Sequence, residues 1–263
     1  MWCLCKSFFR AAMNETHLPR KSIGSTKAGL ARAMSKSGYC SRTRAAALIR
    51  EGKVTLNGKI TRDPETPVTL ERDRIQVEGT ALQAARPLYL MMNKPRGIIT
   101  TASDEKGRPT VYSLLPEGMP WLGPVGRLDK ASEGLILLTN DSAWAARISD
   151  PQSHVAKTYH VQVGSRCDDD LLRKLSHGVR DKEYGILRAA SASFLRGGEK
   201  NSWLEIVLTE GRNRQIRRMF EALGIEVLRL IRVAIGPVPL GTLAKGQCRS
   251  LTGEEKSLLD QVL

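Results

Sequence analysis

The chain has 263 residues, 41 Lys+Arg against 27 Asp+Glu, and a formal net charge of +14 at pH 7. So basic a chain favours a polyanionic partner, because releasing counterions from phosphates drives binding. No apolar run approaches the roughly 20 residues that span a bilayer, and the five cysteines (Cys3, Cys5, Cys40, Cys167, Cys248) form neither a CxxC pair nor a disulfide framework. A reduced, cytoplasmic setting without a metal is therefore expected. The charge is unevenly placed. Residues 1–79 hold 15 basic and 7 acidic side chains, a surplus of 8 that leaves 6 for the rest. That asymmetry indicates a small basic module joined to a larger, better balanced domain.

The first 27 residues carry Trp2, Phe8, Phe9, Arg10 and Arg20 with no sustained period. A secretory core needs about 7–15 apolar residues, and none is present. The segment reads as a disordered basic tail, with Met13 as a second candidate start.

Order begins near Gly29. Ala31 to Ser37 predicts a short helix stopped by Gly38, and Ser41 is placed to cap a second helix over Arg42–Arg50 that ends at Gly52. Lys53-Val54-Thr55-Leu56 is a strand running into Asn57-Gly58, a strong hairpin turn. Arg74 to Glu78 supplies another strand, closed by Gly79. Arg42, Arg44, Arg50, Lys53 and Lys59 cluster here, and Glu51 is the only carboxylate between Arg32 and Lys59. Positive charge so poorly matched suits A-form RNA, recognised through backbone and shape, although a merely solvated helix face would look similar. Residues 80–87 lack alternation, end in Pro87 and read as a linker.

Leu88 to Met92 is the next strand, entering Asn93-Lys94-Pro95-Arg96-Gly97. The polar stretch Thr100 to Thr110 is either a surface loop or a basic edge of a cleft. In Gly126-Arg127-Leu128-Asp129-Lys130-Ala131-Ser132-Glu133-Gly134, Asp129 sits on a loop entering a buried strand, Gly134 to Leu138. Thr139-Asn140-Asp141 then offers cap chemistry for a following helix. Lys157-Thr158-Tyr159 opens an alternating strand that puts Tyr159, Val161 and Val163 on one face. After a strand from Trp203 to Leu208 comes Glu210-Gly211-Arg212-Asn213-Arg214-Gln215-Ile216-Arg217-Arg218-Met219-Phe220. Ile216, Met219, Phe220 and Leu223 have helical spacing, ending at Gly224. Its first turn is cationic, against the dipole preference, so arginines and backbone N–H groups are expected to converge on an anion. Val227 to Arg232 is the last strand of this group.

The segment from Gly126 to Asp141 resembles the active-site signature of the pseudouridine synthases, in the branch that modifies ribosomal RNA. The Asn-Lys-Pro entry at Asn93 fits the same family, and residues 29–79 resemble an S4-type RNA-binding module. The resemblance implies an α/β (α+β) chain: an S4-type module over residues 28–80, a linker over 81–87, and a catalytic domain over 88–263 with a mixed, mainly antiparallel sheet flanked by helices. It implies Asp129 as the catalytic carboxylate, with Arg127 beside it. Tyr159 and Leu230 would contact the target base, and Arg217 would pair with the carboxylate. Arg212, Arg214 and Arg218 are then left for phosphates. Converting uridine to pseudouridine breaks C1′–N1 and rejoins the ring through C5, so no cofactor is expected. Asp129 either attacks the sugar or removes its 2′ proton. The uridine must be flipped out to be reached. A hydrolytic glycosidase would usually need a second carboxylate to activate water, and only Glu133 is near in sequence. A catalytically silent RNA-binding or ribosome-assembly factor is the other reading. The expected partner is ribosomal RNA, bound by a monomer, and Ile235-Gly236-Pro237-Val238 leans toward the large subunit.

Overall fold

Residues 27–83, 85–102 and 104–263 are described by the computed structural model. The expected disordered tail, Cys3 and Cys5 included, lies outside them apart from Lys27. The chain divides into two compact units. One takes the chain up to Arg86 together with Pro116–Trp121, and the other takes Pro87–Leu115 and Leu122–Leu263.

The first unit opens with β1 (Ala28–Gly29), α1 (Leu30–Lys36) and α2 (Arg42–Arg50), followed by β2 (Val54–Leu56), β3 (Lys59–Ile60), β4 (Pro67–Val68), β5 (Ile75–Val77) and β6 (Thr80–Ala81). Ser41 caps α2 as its sequence predicts, accepting the Arg44 N–H. Asn57 and Gly58 both have positive φ, +52° and +83°, the geometry of a tight hairpin between β2 and β3. Leu30, Met34, Leu48, Ile49, Val54 and Ile75 form its core. The expected linker starts too early at residue 80. Glu78 and Gly79 make a second positive-φ turn, so Thr80–Ala81 returns as β6 against β5 and Leu82 donates to the Ile75 carbonyl. Two residues are too short for an alternating pattern, which is why the strand is invisible in the sequence. Trp121 N–H donates to the Gly38 carbonyl, tying the 116–121 segment into this unit.

The second unit is built on one sheet. In chain order its strands are β7 (Tyr89–Lys94), β8 (Gly123–Val125), β9 (Glu133–Thr139), β10 (Lys157–Val163), β13 (Ser191–Gly197), β14 (Ser202–Leu208), β15 (Val227–Ile235), β16 (Val238–Pro239) and β17 (Cys248–Ser250), with a separate hairpin of β11 (Val179–Asp181) and β12 (Gly185–Leu187). The path runs β13-β14-β10-β15-β9-β7-β17, with β8 on β9 and β16 on β15. It is antiparallel except where β9 and β15 run parallel. Every residue of β9 is buried, as the apolar run Gly134–Leu138 requires, and Glu133 and Thr139 at its ends are buried with it. Asp141 caps α3 (Ser142–Ser149), accepting from the N–H groups of Ala143 and Trp144. The cationic helix, α5 (Gln215–Ala222), buries Ile216, Met219 and Phe220 against Val161, Leu204 and Ile206. Two helices absent from the sequence expectations complete the unit. α4 (Asp169–His177) is capped by Asp168, and α6 (Gly253–Gln261) carries a Thr252/Glu255 capping box.

Candidate active site

The site forms where β9, β10 and β15 adjoin. Gly134 makes the junction possible. It sits at φ +103° opposite Arg232, and a Cβ there would overlap the Arg232 carbonyl oxygen and fall 2.7 Å from its backbone nitrogen. Only glycine lets the two backbones approach this closely. The loop before it is fixed from the other side. Gly97 N–H donates to the Lys130 carbonyl at 2.8 Å, Thr100 Oγ1 donates to the Leu128 carbonyl at 2.9 Å, and Ser132 N–H closes a turn on the Asp129 carbonyl at 2.9 Å. The Asn-Lys-Pro-Arg-Gly segment is thus a brace for the Asp129 loop.

Asp129 faces a pocket of about 400 Å³ that Arg127, Tyr159, Arg212, Arg214 and Leu230 also line. The structure brings six of the eight residues singled out in the second unit to this pocket, but it changes the ionic partner. Asp129 Oδ2 is 3.5 Å from Nη1 of Arg214, not of Arg217. Arg214 is the residue preceding α5 and holds a left-handed conformation at φ +52°, uncommon for a residue with a side chain. Gln215, almost fully buried, pins the loop before it through Glu210 Oε1 at 2.7 Å and the Arg188 carbonyl at 3.1 Å. Arg217 lies behind the carboxylate loop, donating to the carbonyls of Ala131 at 3.1 Å and Val227 at 3.4 Å. Burial and the neighbouring Arg214 push its guanidinium below the ordinary value, and Asp129 only partly offsets them. The helix turn carries both arginines past the loop, and sequence spacing cannot tell which one meets the acid.

Two further residues expected to meet RNA carry partners within the protein. Arg218 is committed within the protein. It pairs with Glu183 at 2.6 Å and Asp181 at 3.5 Å and stacks 4.6 Å from the Tyr184 ring centre. Its partners lie in the β11–β12 hairpin, which local sequence patterns do not place. Lys53 is likewise paired, with Glu51 at 2.9 Å and Glu78 at 3.6 Å. Arg212 lines the pocket while bonded to Glu210 at 3.2 Å and to the Tyr184 carbonyl at 2.9 Å. In the first unit, Arg42, Arg44, Arg50 and Lys59 are exposed and form no ion pair among the described residues.

Glu133 immediately follows the Asp129 loop but is not a free acid. It is buried, and Arg229 Nε at 3.1 Å and Lys245 Nζ at 2.5 Å hold it. Burial pushes its carboxyl up, but the two cations outweigh that and hold it below the usual range. Lys94 is fully buried, donating to the carbonyls of Ile98 at 2.7 Å and Pro95 at 3.1 Å. Burial brings its amine down to about 8, against the pull of Asp129 and Glu133. Sequence patterns assign no role to Lys94, Gln215, Arg229 or Lys245. A lysine inside an apolar strand end is the one available signal. Among the described residues no group of three or more His, Cys, Asp or Glu side chains is placed to hold a metal, and no helix is long and apolar enough to cross a membrane.

Comparison with known proteins agrees with this geometry. Residues 88–222 match the RNA pseudouridylate synthase family, and residues 29–75 match the S4 domain. The chain is 39% identical over 228 residues to the ribosomal large subunit pseudouridine synthase B of Bacillus subtilis (strain 168), covering 86% of this chain and 93% of that one. It is 36% identical over 218 residues to the Yersinia pestis protein of the same name, covering 80% of this chain and 68% of that one. Among solved structures, a crystal structure of a pseudouridylate synthase shares 29% identity and a TM-score of 0.62, covering 90% of this chain and all of the other. A pocket built around one solvent-accessible carboxylate, and a match that spans both units, lead to one assignment: the chain belongs to the RNA pseudouridylate synthase family.

Proposed function

We propose that this protein isomerises uridine to pseudouridine in large-subunit ribosomal RNA, with Asp129 as the catalytic carboxylate. The observation that carries the reading is Asp129 itself. It is the carboxylate among the pocket-lining residues, it is partly open to solvent, and its ionic partner Arg214 stands at 3.5 Å. The large-subunit substrate is supported by the names of the relatives above. Tyr159 offers a phenol face and Leu230 an apolar contact for a base turned out of its helix. The exposed Arg127, Arg212 and Arg214 supply positive charge around the pocket for the strand that carries the base. We assign RNA grip outside the pocket to residues 28–80, through Arg42, Arg44, Arg50 and Lys59, and catalysis to residues 88–263.

The chemistry follows from the parts. Breaking C1′–N1 sends the bonding pair out with the uracil. Asp129 compensates at the sugar, by adding to it or by taking the 2′ proton. The ring turns and C5 takes the place of N1. A hydrolytic glycosidase is disfavoured because Glu133, the next carboxylate in the chain, is buried between Arg229 and Lys245 and has no freedom to activate water.

The test is Asp129→Asn, a nearly isosteric change that removes both nucleophile and base. Single-turnover conversion of large-subunit transcripts is expected to fall by roughly four powers of ten, while RNA binding and melting temperature hold. Substantial conversion by folded Asp129→Asn protein would falsify the assignment. Release of free uracil by the wild type would identify a glycosidase instead.

A further inference from the structure

Lys157 and Arg232 have no role in the scheme above, yet both line the pocket that holds Asp129. In the antiparallel pairing of β10 with β15, Tyr159 stands opposite Arg232 and Val161 opposite Leu230. By the two-residue strand repeat, Lys157 shares a face with Tyr159, and Arg232 shares one with Leu230. The four side chains therefore form one surface of the pocket. Arg232 is 5% exposed and forms no ion pair among the described residues, rare for a charge. Its hydrogen bond runs from Nε to the Leu135 carbonyl at 2.7 Å, and its Nη2 is buried and meets no acceptor among the described residues. Lys157 is half-buried and reaches the Ile148 carbonyl at 3.4 Å, a long contact. Burial and the charge of Arg232 both push its amine below the ordinary value. Two neighbouring cations, one buried and one half-buried, with no ion pair to either among the described residues, are costly to the apoprotein. A ligand that brings negative charge removes that cost.

We propose that Lys157 and Arg232 form an oxyanion subsite that binds the carbonyl oxygens of the flipped uracil and holds its negative charge while the glycosidic bond is open. The proposal rests on the synthase reading above and names the part of the substrate that these side chains meet. A nucleotide in a strand enters a cleft base first, because its phosphates remain joined to the RNA outside. The exposed Arg127, Arg212 and Arg214 are therefore the cations for phosphate, and buried Arg232 faces what goes deepest. When C1′–N1 breaks, the bonding pair leaves on N1 and spreads onto O2 and O4. The pair that rejoins the sugar comes from C5. The C5 proton is then lost and N1 takes one up. Lys157 and Arg232 end the cycle as they began it, having only stabilised charge. Fixed cations in a site with little water do this without reorganising.

The experiment uses the full chain and large-subunit transcripts carrying either uridine or 5-fluorouridine at the target position. The fluorinated uracil anion is the weaker base and needs less help to leave; with fluorine at C5 there is no proton to lose there, so the rate constant on both substrates is read as loss of the N1-linked nucleoside. Lys157→Met, Arg232→Met and the charge-keeping Arg232→Lys are compared with wild type for melting temperature, RNA affinity and single-turnover rate constant. Lys157→Met is expected to bind RNA normally and to lose about 100-fold in the rate constant on uridine. That loss shrinks on 5-fluorouridine, and Arg232→Lys recovers part of the rate that Arg232→Met removes. Weakened RNA binding with an intact rate constant would place a phosphate at these cations and overturn the proposal. An equal loss on both substrates would mean a structural role and overturn it as well. If Arg232→Met does not fold, the half-buried Lys157 position decides. Wild-type conversion of uridine in the same series separates failure of this subsite from failure of the synthase reading.

Discussion

Asp129 is a single acid in a strongly basic surrounding, so the arginines near it differ in task rather than in charge. Arg214 meets the carboxylate from a strained backbone position, whereas Arg217 spends its donors on two carbonyls of the scaffold. We expect Arg214→Ala to cut the single-turnover rate while melting temperature holds. Arg217→Ala should lower both, because the Ala131 and Val227 carbonyls lose their donor. Equal melting temperatures for the two variants would show that Arg217 does not brace the loop. Lys94 makes a pH prediction. Its amine sits at about 8 in the folded protein, below the roughly 10.4 of an unfolded lysine, so the unfolded state binds more protons between those values. Stability therefore rises with pH across that window, and the penalty is fully present below about 8. Denaturant unfolding at pH 7.5 and 9.5 should show wild type gaining roughly 2 kcal/mol more than Lys94→Met. A matching pH response in both proteins would contradict this account of the buried amine.

At the scale of elements, the parallel contact between β9 and β15 decides whether a site exists. It places the end of the Asp129 loop against the strand that carries Leu230 and Arg232, and Gly134 permits it. Gly134→Ala combines a positive φ with a backbone overlap that no rotamer relieves. We expect it to destabilise the protein by about 4 kcal/mol and to abolish conversion even where some folded protein is recovered. Gly58, also at positive φ but with open space around it, should tolerate alanine with only a turn penalty of about 1 kcal/mol. Similar losses at both glycines would remove the argument for close strand approach. The cap at Ser41 is a simpler case: Ser41→Ala should cost about 1 kcal/mol and leave conversion of prebound RNA unchanged.

Over the whole molecule, each unit has its own buried core, and Arg42, Arg44, Arg50 and Lys59 of the first unit form no ion pair among the described residues. Deleting residues 1–86 should leave the second unit folded, with the 116–121 segment deprived of the Gly38 carbonyl it bonds in the intact chain. RNA affinity should fall, and the slope of log affinity against log salt should flatten by about 0.7–0.9 for each phosphate that the truncated protein no longer neutralises. Filter binding across a salt series measures both. An unchanged slope would make the first unit a structural appendage rather than a grip on RNA.

The sequence by itself determined the parts whose physics is local. The Ser41 cap, the Asn57-Gly58 turn, the wholly buried strand after Gly134, the Asp141 cap and the apolar stripe from Ile216 to Phe220 all depend on neighbours within a few residues. Each is found where the residues place it. The Asp129 loop was legible for a different reason, since its motif is long and contiguous enough to carry a family resemblance. The tertiary structure decided the rest. Which arginine of one helix turn meets Asp129 depends on how α5 lies against the loop, and it is Arg214. Arg218 meets carboxylates of the β11–β12 hairpin, and Lys53 meets Glu78 beyond β5 as well as its own neighbour Glu51; only the last of these is local in the sequence. Thr80–Ala81 became a strand because a partner, β5, was waiting after a two-residue turn. Lys157 and Arg232 lie 75 positions apart in the chain and share a pocket because β10 and β15 pair. Pairing across such distances is a property of the assembled sheet, where register places side chains side by side that no local spacing relates.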